Sequence, residues 1–230
     1  MTKTRIEKIF DEVAPTYELV NHVLTFGLDR HWRGKAAGFA AGGRGQLWLD
    51  VCSGTGEMAR NLVRLAPHGA KVIALDFCRS MVREASAKAV NPFEFIMADV
   101  KHLPFPSDRF DLITISFATR NINLSRDILG ATFQEFRRIL KPGGRFVNLE
   151  TSQPRPAILR KIFHLYVKTF VKPVGFRLSG SRAGYAYLSS TIPRFYNAED
   201  LTNLLRQAGF RDVAFRRLFL GAAAIHEAIK

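Results

Sequence analysis

Leu49-Asp50-Val51-Cys52-Ser53-Gly54-Thr55-Gly56-Glu57 joins an apolar run to a helix-like one, and its reading decides the fold. The segment before it, Gln46 to Val51, reads as a buried strand, and Glu57 to Ala66 reads as a helix. Gly54 and Gly56 let the backbone approach a ligand where side chains would collide. The spacing is not that of a phosphate loop. No third glycine arrives at the dinucleotide distance, and no Gly-Lys-Ser/Thr follows.

Outward from this loop the pattern alternates. Lys71 to Leu75 reads as a strand, Arg79 to Ala89 as a helix, Phe93 to Met97 and Phe110 to Phe117 as strands. Arg126 to Leu140 is helical and Arg145 to Leu149 is a fifth strand. Repeated units of this length imply a mostly parallel sheet covered on both faces. Asn197 is the expected N-cap for a helix from Ala198 to Ala208, which Gly209 stops. Arg211 to Phe219 and Ala222 to Ile229 then read as two closing strands about Gly221, joined tightly enough to be antiparallel. Upstream, Ile6, Ile9, Phe10 and Val13 keep helical spacing, Pro15 breaks it, and Tyr17 to Val23 resumes it. Ala41-Gly42-Gly43-Arg44-Gly45 is a loop by composition.

The expected fold is therefore α/β: a Rossmann-like, seven-stranded, mostly parallel sheet with an antiparallel last strand and helices on both faces. This is the layout of class I methyltransferases. It predicts one domain over 1–230, with an N-terminal helical cap (1–40) and a donor-binding core (46–150). A basic helical insertion after strand 5 (151–198) and a closing helix and strand pair (199–230) complete it.

An acidic residue directly before the loop, Asp50, repels a pyrophosphate but suits the ammonium of a methionine moiety, so the loop favours S-adenosylmethionine over a dinucleotide. Ser53, Gly54, Thr55 and Gly56 form the cradle. Asp76 follows the second strand, where a carboxylate accepts both hydroxyls of a ribose, with Phe77 beside it. Asp99, after the third strand, falls where the adenine amino group is held, and Val100 supplies backbone beside the ring. Ser116, at the end of the fourth strand, faces the same crevice. Read locally, Asp76 and Asp99 are also common turn residues; their coincidence with the loop is what points to a site. Cys52 reads as a packing residue, since no histidine neighbours it in sequence.

The 230 residues carry 34 Lys+Arg against 20 Asp+Glu, with 47% hydrophobic content, which excludes a disordered chain. Two cysteines suit neither a disulfide framework nor a structural zinc site. His22, His31, His68, His102, His164 and His226 are scattered without ligand spacing, so no metal is expected. The start of the chain does not read as a secretory signal, and no run approaches the roughly 18 apolar residues of a membrane span. The expected location is cytoplasmic, or peripheral at the inner face of a membrane. Between Glu150 and Glu199 there is no acidic residue, while eight Lys and Arg fall in those 48 positions. From Ile158 to Val171, Ile158, Leu159, Ile162, Phe163, Tyr166 and Phe170 keep helical spacing, with Arg160, Lys161, His164 and Lys168 opposite. Such a helix either caps the protein or lies on an anionic membrane through 156–172.

Several segments are similar to one family. Tyr17-Glu18-Leu19-Val20-Asn21 and Gly27-Leu28-Asp29-Arg30-His31-Trp32-Arg33 resemble the N-terminal signature of the ubiquinone/menaquinone biosynthesis C-methyltransferases, the UbiE/MenG type. Leu103-Pro104-Phe105-Pro106 with Phe110-Asp111 does so too, as does Ser116-Phe117-Ala118-Thr119-Arg120-Asn121-Ile122, whose arginine-asparagine pair is the most telling feature. The likeness runs through Tyr185-Ala186-Tyr187-Leu188 to Gly209-Phe210. Asp29 stands where the family usually has histidine, Glu18 where it has aspartate, Ser190 where glutamate is common, and Ala118-Thr119 where a Gly-hydrophobic pair is usual. These departures are expected around the acceptor pocket.

The resemblance implies methylation of a ring carbon on a polyprenylated quinol: demethylmenaquinol to menaquinol, or the benzoquinol step of ubiquinone synthesis. A ring carbon becomes nucleophilic when a neighbouring hydroxyl ionises. Arg120 is then the electrostatic partner of the phenolate, Asn121 a hydrogen-bonding group for the ring oxygen, and Asp99 a participant in water-relayed deprotonation. Arginine itself is a poor base. Tyr17 and Asn21, substrate-side candidates on the N-terminal helix, are expected to close over the methyl donor, and Tyr185 and Tyr187 to line the acceptor side. Nucleic acid is not an expected partner, because no Asn/Asp-Pro-Pro-aromatic motif follows the fourth strand and no RNA-binding motif accompanies the basic residues. Another small phenolic or natural-product acceptor stays open, as does a non-catalytic donor-binding subunit. The sequence admits a homodimer.

Overall fold

A computed structural model describes residues 5–43, 45–88 and 93–230. Arg44, in the glycine loop, and Ala89, the last residue of one predicted helix, lie outside the described residues. The N-terminal part is helical: α1 (Arg5–Val13), α2 (Tyr17–Leu24) and α3 (Leu28–Ala41). Ala14–Thr16, with Pro15, forms a short 3-10 turn between the first two. Then come β1 (Leu47–Val51), α4 (Glu57–Leu65), β2 (Lys71–Asp76), α5 (Arg79–Lys88), β3 (Glu94–Met97) and β4 (Phe110–Ser116). Next are α6 (Thr119–Ile122), α7 (Arg126–Ile139) and β5 (Leu140–Thr151). The basic segment forms α8 (Ala157–Tyr166), a π-helical turn (Val167–Val171), α9 (Lys172–Ser179) and α10 (Arg182–Thr191). The chain closes with α11 (Ala198–Gln207), β6 (Arg211–Leu218) and β7 (Ala223–Ile229).

The seven strands run in the order β3-β2-β1-β4-β5-β7-β6, and β7 is antiparallel to both neighbours. This is the class I methyltransferase arrangement. Trp48 to Val51 of β1 are all buried, as expected of a strand flanked by parallel partners and covered on both faces. On one face Phe133, Phe136, Leu201 and Leu205 of α7 and α11 pack onto the sheet. On the other, Trp32, Ala36 and Ala37 of α3 and Met58 and Leu62 of α4 do so. A satellite cluster of Val13, Val20, Met81, Val167, Val171 and Tyr185 ties the N-terminal helices to the basic segment.

The caps behave as the sequence implies. Asn197 accepts from Asp200 N at 2.8 Å to open α11, and Gly209 leaves it at φ +94°. The main difference is β5, which starts at Leu140 rather than Arg145. Phe110 pairs with Leu140, and the register shifts before Leu112 meets Arg145. Lys141-Pro142-Gly143-Gly144, between the predicted helix and strand, belongs to this irregular strand start.

Two buried ionisable groups give stability opposite pH slopes. His226 is 1% exposed, with Nε2 2.9 Å from Ala198 O, and burial lowers its pKa to about 4. The unfolded chain binds a proton near pH 6.5 that the folded chain refuses until about pH 4, so this group's contribution is lost as pH falls through that window. Asp50, raised by burial to about 7, does the reverse: stability falls as pH rises from the ordinary carboxylate range towards 7. His226→Gln is therefore expected to show a smaller decline in melting temperature than wild type on acidification from about pH 6.5 to about pH 4. Equal declines in the two proteins would refute the assignment.

Candidate active site

The strand order reverses between β1 and β4, the place where open α/β sheets bind ligands beyond their carboxyl ends. Two bulky residues there turn the chain sharply. Cys52 after β1 and Phe117 after β4 sit at φ 51° and 55°, left-handed conformations that non-glycine residues rarely hold. Strain of this kind concentrates at functional sites. Gly54, at φ +55°, has nothing within 4 Å of where a Cβ would stand, so the loop presents open backbone.

Asp76 organises the loop. Its carboxylate accepts from Gly54 N at 2.8 Å and Cys78 N at 2.9 Å. Burial pushes its pKa up, and the backbone donors hold it back. A cavity of about 190 Å³ lies against it, lined by Ser53, Gly54, Thr55, Asp76, Phe77, Asp99, Val100 and Ser116, all expected there. Ile6, Phe10 and Tyr17 close it from the N-terminal helices. A methyl donor fits these residues: the glycine cradle is open, the carboxylate keeps free lone pairs, and Ser53 Oγ is buried with no hydrogen-bond partner among the described residues.

Two expected residues do not line this cavity. Asp50 is fully buried beneath the loop, where Oδ1 accepts from Thr114 Oγ1 at 2.7 Å, so it cannot take a donor ammonium directly. Gly56 serves the backbone: at φ +81° it opens α4, and a Cβ there would stand 3.0 Å from the Phe93 ring. Cys52 does line the cavity, but burial drives its thiol well up, which keeps it protonated.

A second cavity, of about 370 Å³, adjoins the first. Its walls are mostly apolar, with Leu24, Trp32, Leu159, Phe163, Tyr166 and Ile192 prominent. The polar exceptions include Tyr17, Asn21, Asp29, Arg33 and Arg120. Tyr17, Arg33 and Phe117 line both cavities and so form the junction between them. Arg120 is buried, with Nη1 2.7 Å from Glu150 Oε1, and its Nε has no partner among the described residues. Arg33 donates to Asp29 at 2.6 Å and lies 3.2 Å from Glu57. Asp29 also accepts from Thr25 Oγ1 at 2.8 Å and meets His22 Nδ1 at 2.8 Å. Burial raises the Asp29 carboxyl, but the Arg33 charge and these hydrogen bonds outweigh it and leave the pKa below the ordinary value. Burial raises the Tyr17 hydroxyl, against the pull of Arg120 and Arg33.

The structure divides the expected chemical residues. Asn121 and Asp99 line the donor-side cavity, whereas Arg120 lines the apolar one. Tyr17 lines both cavities, whereas Asn21 lines the apolar one and not the donor side. Tyr185 and Tyr187 line neither cavity. Tyr185 is 1% exposed and packs on Gly175, where a Cβ would stand 2.1 Å from its ring. From α10 it is Leu188, with Ile192 just after, that reaches the cavity instead. Of the positions that depart from the family pattern, only Asp29 lines the acceptor-side cavity. Glu18 pairs with Arg60 at 3.0 Å and Lys88 at 3.2 Å. Ser190 is exposed and donates to Tyr187 O, and Thr119 is buried against Asn148. Ala118 faces the donor side.

Spacing along the chain also hid a cluster. Glu18, His22 and Glu57 offer ligand atoms within 4.8 Å of one another. Arg60 and Lys88 pair with Glu18, Arg33 with Glu57, and Arg30 Nε donates to His22 Nε2, so cations of the protein already occupy the group's charge. Asp29 and Arg33 were the functional candidates with a legible signal: an i,i+4 acid-base pair in a helix of small residues.

Comparison with known proteins agrees with this geometry. The sequence model of the ubiE/COQ5 methyltransferase family matches residues 1–230. The chain is 35% identical over 227 residues to the ubiquinone/menaquinone biosynthesis C-methyltransferase UbiE of Desulfotalea psychrophila, covering 98% of this chain and 90% of that one. It is 36% identical over 225 residues to the demethylmenaquinone methyltransferase of Thermotoga maritima, covering 97% and 95%. Among solved structures, the [4+2]-cyclase SpnF superposes with a TM-score of 0.69 at 16% identity, over 98% of this chain and 95% of that one. A Haloferax volcanii protein solved with the Trm112 methyltransferase activator, a putative methyltransferase, gives 0.67 at 18%, over 100% and 99%. These two likenesses concern the fold alone.

Proposed function

This chain belongs to the ubiE/COQ5 methyltransferase family, whose methyl donor is S-adenosylmethionine, and on that premise we propose that it methylates a ring carbon of a polyprenylated quinol. The product is menaquinol from demethylmenaquinol, or the methylated benzoquinol of ubiquinone synthesis. One observation carries the reading: a large apolar cavity, with the buried Arg120 in its wall, meets the donor-side cavity at a junction that holds a second buried guanidinium, Arg33. An isoprenoid tail needs apolar walls, and an ionised ring hydroxyl needs cations beside it.

When bound, the donor supplies a methyl group already activated on a sulfonium. Ser53, Gly54, Thr55, Asp76, Phe77, Asp99, Val100 and Ser116 hold it. The protein's remaining task is to orient an electron-rich carbon in line and to exclude water. Tyr17 and Phe117 shape the passage between the cavities. Arg120, anchored by Glu150, steadies the phenolate, and its unpartnered Nε is the donor it has to spare. Asn121 positions the ring oxygen from the donor side. Asp29 on the acceptor wall is already engaged by Arg33, Thr25 and His22, so the hydroxyl proton leaves through water towards Asp99, which lines the donor-side cavity with Asn121. The helix within 156–172 supplies peripheral contact with an anionic membrane. A nucleic-acid acceptor is opposed by the same apolar walls.

Incubating the purified protein with S-adenosylmethionine and reduced demethylmenaquinol or the desmethyl benzoquinol is expected to add one ring methyl, seen by mass spectrometry. Deleting the gene is expected to leave one desmethyl quinone in the cell. Donor binding without methyl transfer to either quinol would overturn the acceptor assignment and leave the family membership standing.

A further inference from the structure

The mouth of the apolar cavity is formed by three segments far apart in sequence, and each points large apolar side chains into solvent. Phe26, in the turn between α2 and α3, is 77% exposed. Phe219 and Leu220, between β6 and β7, are 61% and 69% exposed, and Ile158, Ile162 and Leu165 on α8 are 69%, 59% and 60% exposed. Phe26, Ile162, Phe219 and Leu220 also line the cavity, so the exposed patch is its rim. Phe26, Phe219 and Leu220 have φ of 54°, 43° and 56°. Bulky L-residues rarely take that conformation, so the fold tolerates strained backbone at the points that hold apolar groups in water.

Helix α8 is apolar on two sides. Leu159, Phe163 and Tyr166 face the cavity, which suffices to seat the helix. Ile158, Ile162 and Leu165 form a second, outward stripe. Lys161 lies three positions after Ile158 and Lys168 three after Leu165, beside that stripe, with Arg155 and Arg160 exposed nearby. No acidic residue occurs from 151 to 198. An apolar patch bordered by cations complements an anionic lipid surface. A second copy of this chain would bring the same basic charge to the same face. Among the described residues no helix is long and apolar enough to cross a membrane.

We propose that this rim docks on an anionic bilayer. Phe26, Phe219 and Leu220 insert at the boundary of headgroups and acyl chains, and the outer stripe of α8 lies beside them. The cavity mouth then opens into the apolar phase, and a lipid-borne acceptor enters without crossing water. The inference deepens the quinol reading and rests on it for the nature of the acceptor; the docking itself is tested separately.

The test is co-sedimentation with vesicles of phosphatidylglycerol and phosphatidylcholine, against phosphatidylcholine alone, at low and high salt. The expected result is retention by the anionic vesicles, weakened by salt. Phe219→Ser/Leu220→Ser and, separately, Ile158→Ser/Leu165→Ser are each expected to lower the partition coefficient about tenfold or more. Melting temperatures near wild type show that the variants fold, which is expected because the side chains are exposed. With the acceptor embedded in vesicles, Ile158→Ser/Leu165→Ser raises KM and spares kcat; with a short-tailed acceptor in solution it changes neither. Acyl-brominated lipids should quench Trp32, whose ring lies 6.3 Å from that of Phe219. Equal recovery of wild type from anionic and neutral vesicles would overturn the proposal. So would a dimer that either serine pair abolishes, since that assigns the rim to a second copy. If no quinol is turned over in any form, the acceptor assignment fails while vesicle binding still decides the docking.

Discussion

Asp76→Ala is expected to weaken S-adenosylmethionine binding by about a hundred- to a thousandfold while the protein still folds. The carboxylate stands at the end of β2 and does two things. It accepts from Gly54 N and Cys78 N, which fixes the backbone of the glycine loop, and it faces the donor-side cavity. Hydrogen bonds to a charged acceptor contribute about 1.5–3 kcal/mol each, and a ribose offers two hydroxyls. The cost to the fold is smaller. Burial already raises the Asp76 pKa, so removing the carboxylate also removes a desolvated charge, and the Gly54 N–H can turn to cavity water. Asp76→Asn, which keeps one acceptor oxygen, should fall between. Titration calorimetry gives the affinities and thermal melts report the fold. A donor affinity within about threefold of wild type in Asp76→Ala would remove this residue from the site.

The donor side was legible in the sequence because it is local. A glycine loop and the residues that end successive strands lie close to the apolar runs that predict those strands, and parallel strands buried on both faces make such runs conspicuous. The acceptor side was not. Its cavity gathers residues from α2, α3, the turn after β4, α8, α10 and the β6–β7 turn, and nothing in any one segment announces the others. Tyr185 shows the difficulty. Periodicity marks α10 as helical but not which side faces the cavity; Gly175, ten residues earlier and on another helix, decides it by leaving room for the Tyr185 ring. Arg33 shows it again. Its i,i+4 pairing with Asp29 is legible but its burial is not: it is 3% exposed between Asp29, Glu57 and the Phe117 ring, 5.0 Å away. The Phe117 ring it faces comes from a left-handed turn, which side-chain preferences argue against.

Arg120→Lys is expected to lower kcat by about a hundred- to a thousandfold and leave donor affinity unchanged, the range seen when one preorganised donor to a developing oxyanion is removed. The choice of substitution matters. Glu150 is 1% exposed and takes Arg120 Nη1 at 2.7 Å, Arg120 N at 3.1 Å and Thr151 N at 2.7 Å. Arg120→Ala would strand that carboxylate without its cation, which costs about 3–5 kcal/mol and confounds loss of chemistry with loss of fold. Lysine keeps a charge for Glu150 but has no second nitrogen to offer the ring oxygen, and its ammonium cannot reproduce the planar fork. The phenolate then loses its partner while the ion pair survives. Because that partner also lowers the pKa of the quinol hydroxyl, the rise of kcat with pH should move to higher pH in the variant. A purely structural arginine would give no such displacement. Unchanged kcat and an unshifted pH profile would show that Arg120 holds Glu150 and nothing more, and Arg33 would then be the guanidinium to test at the junction.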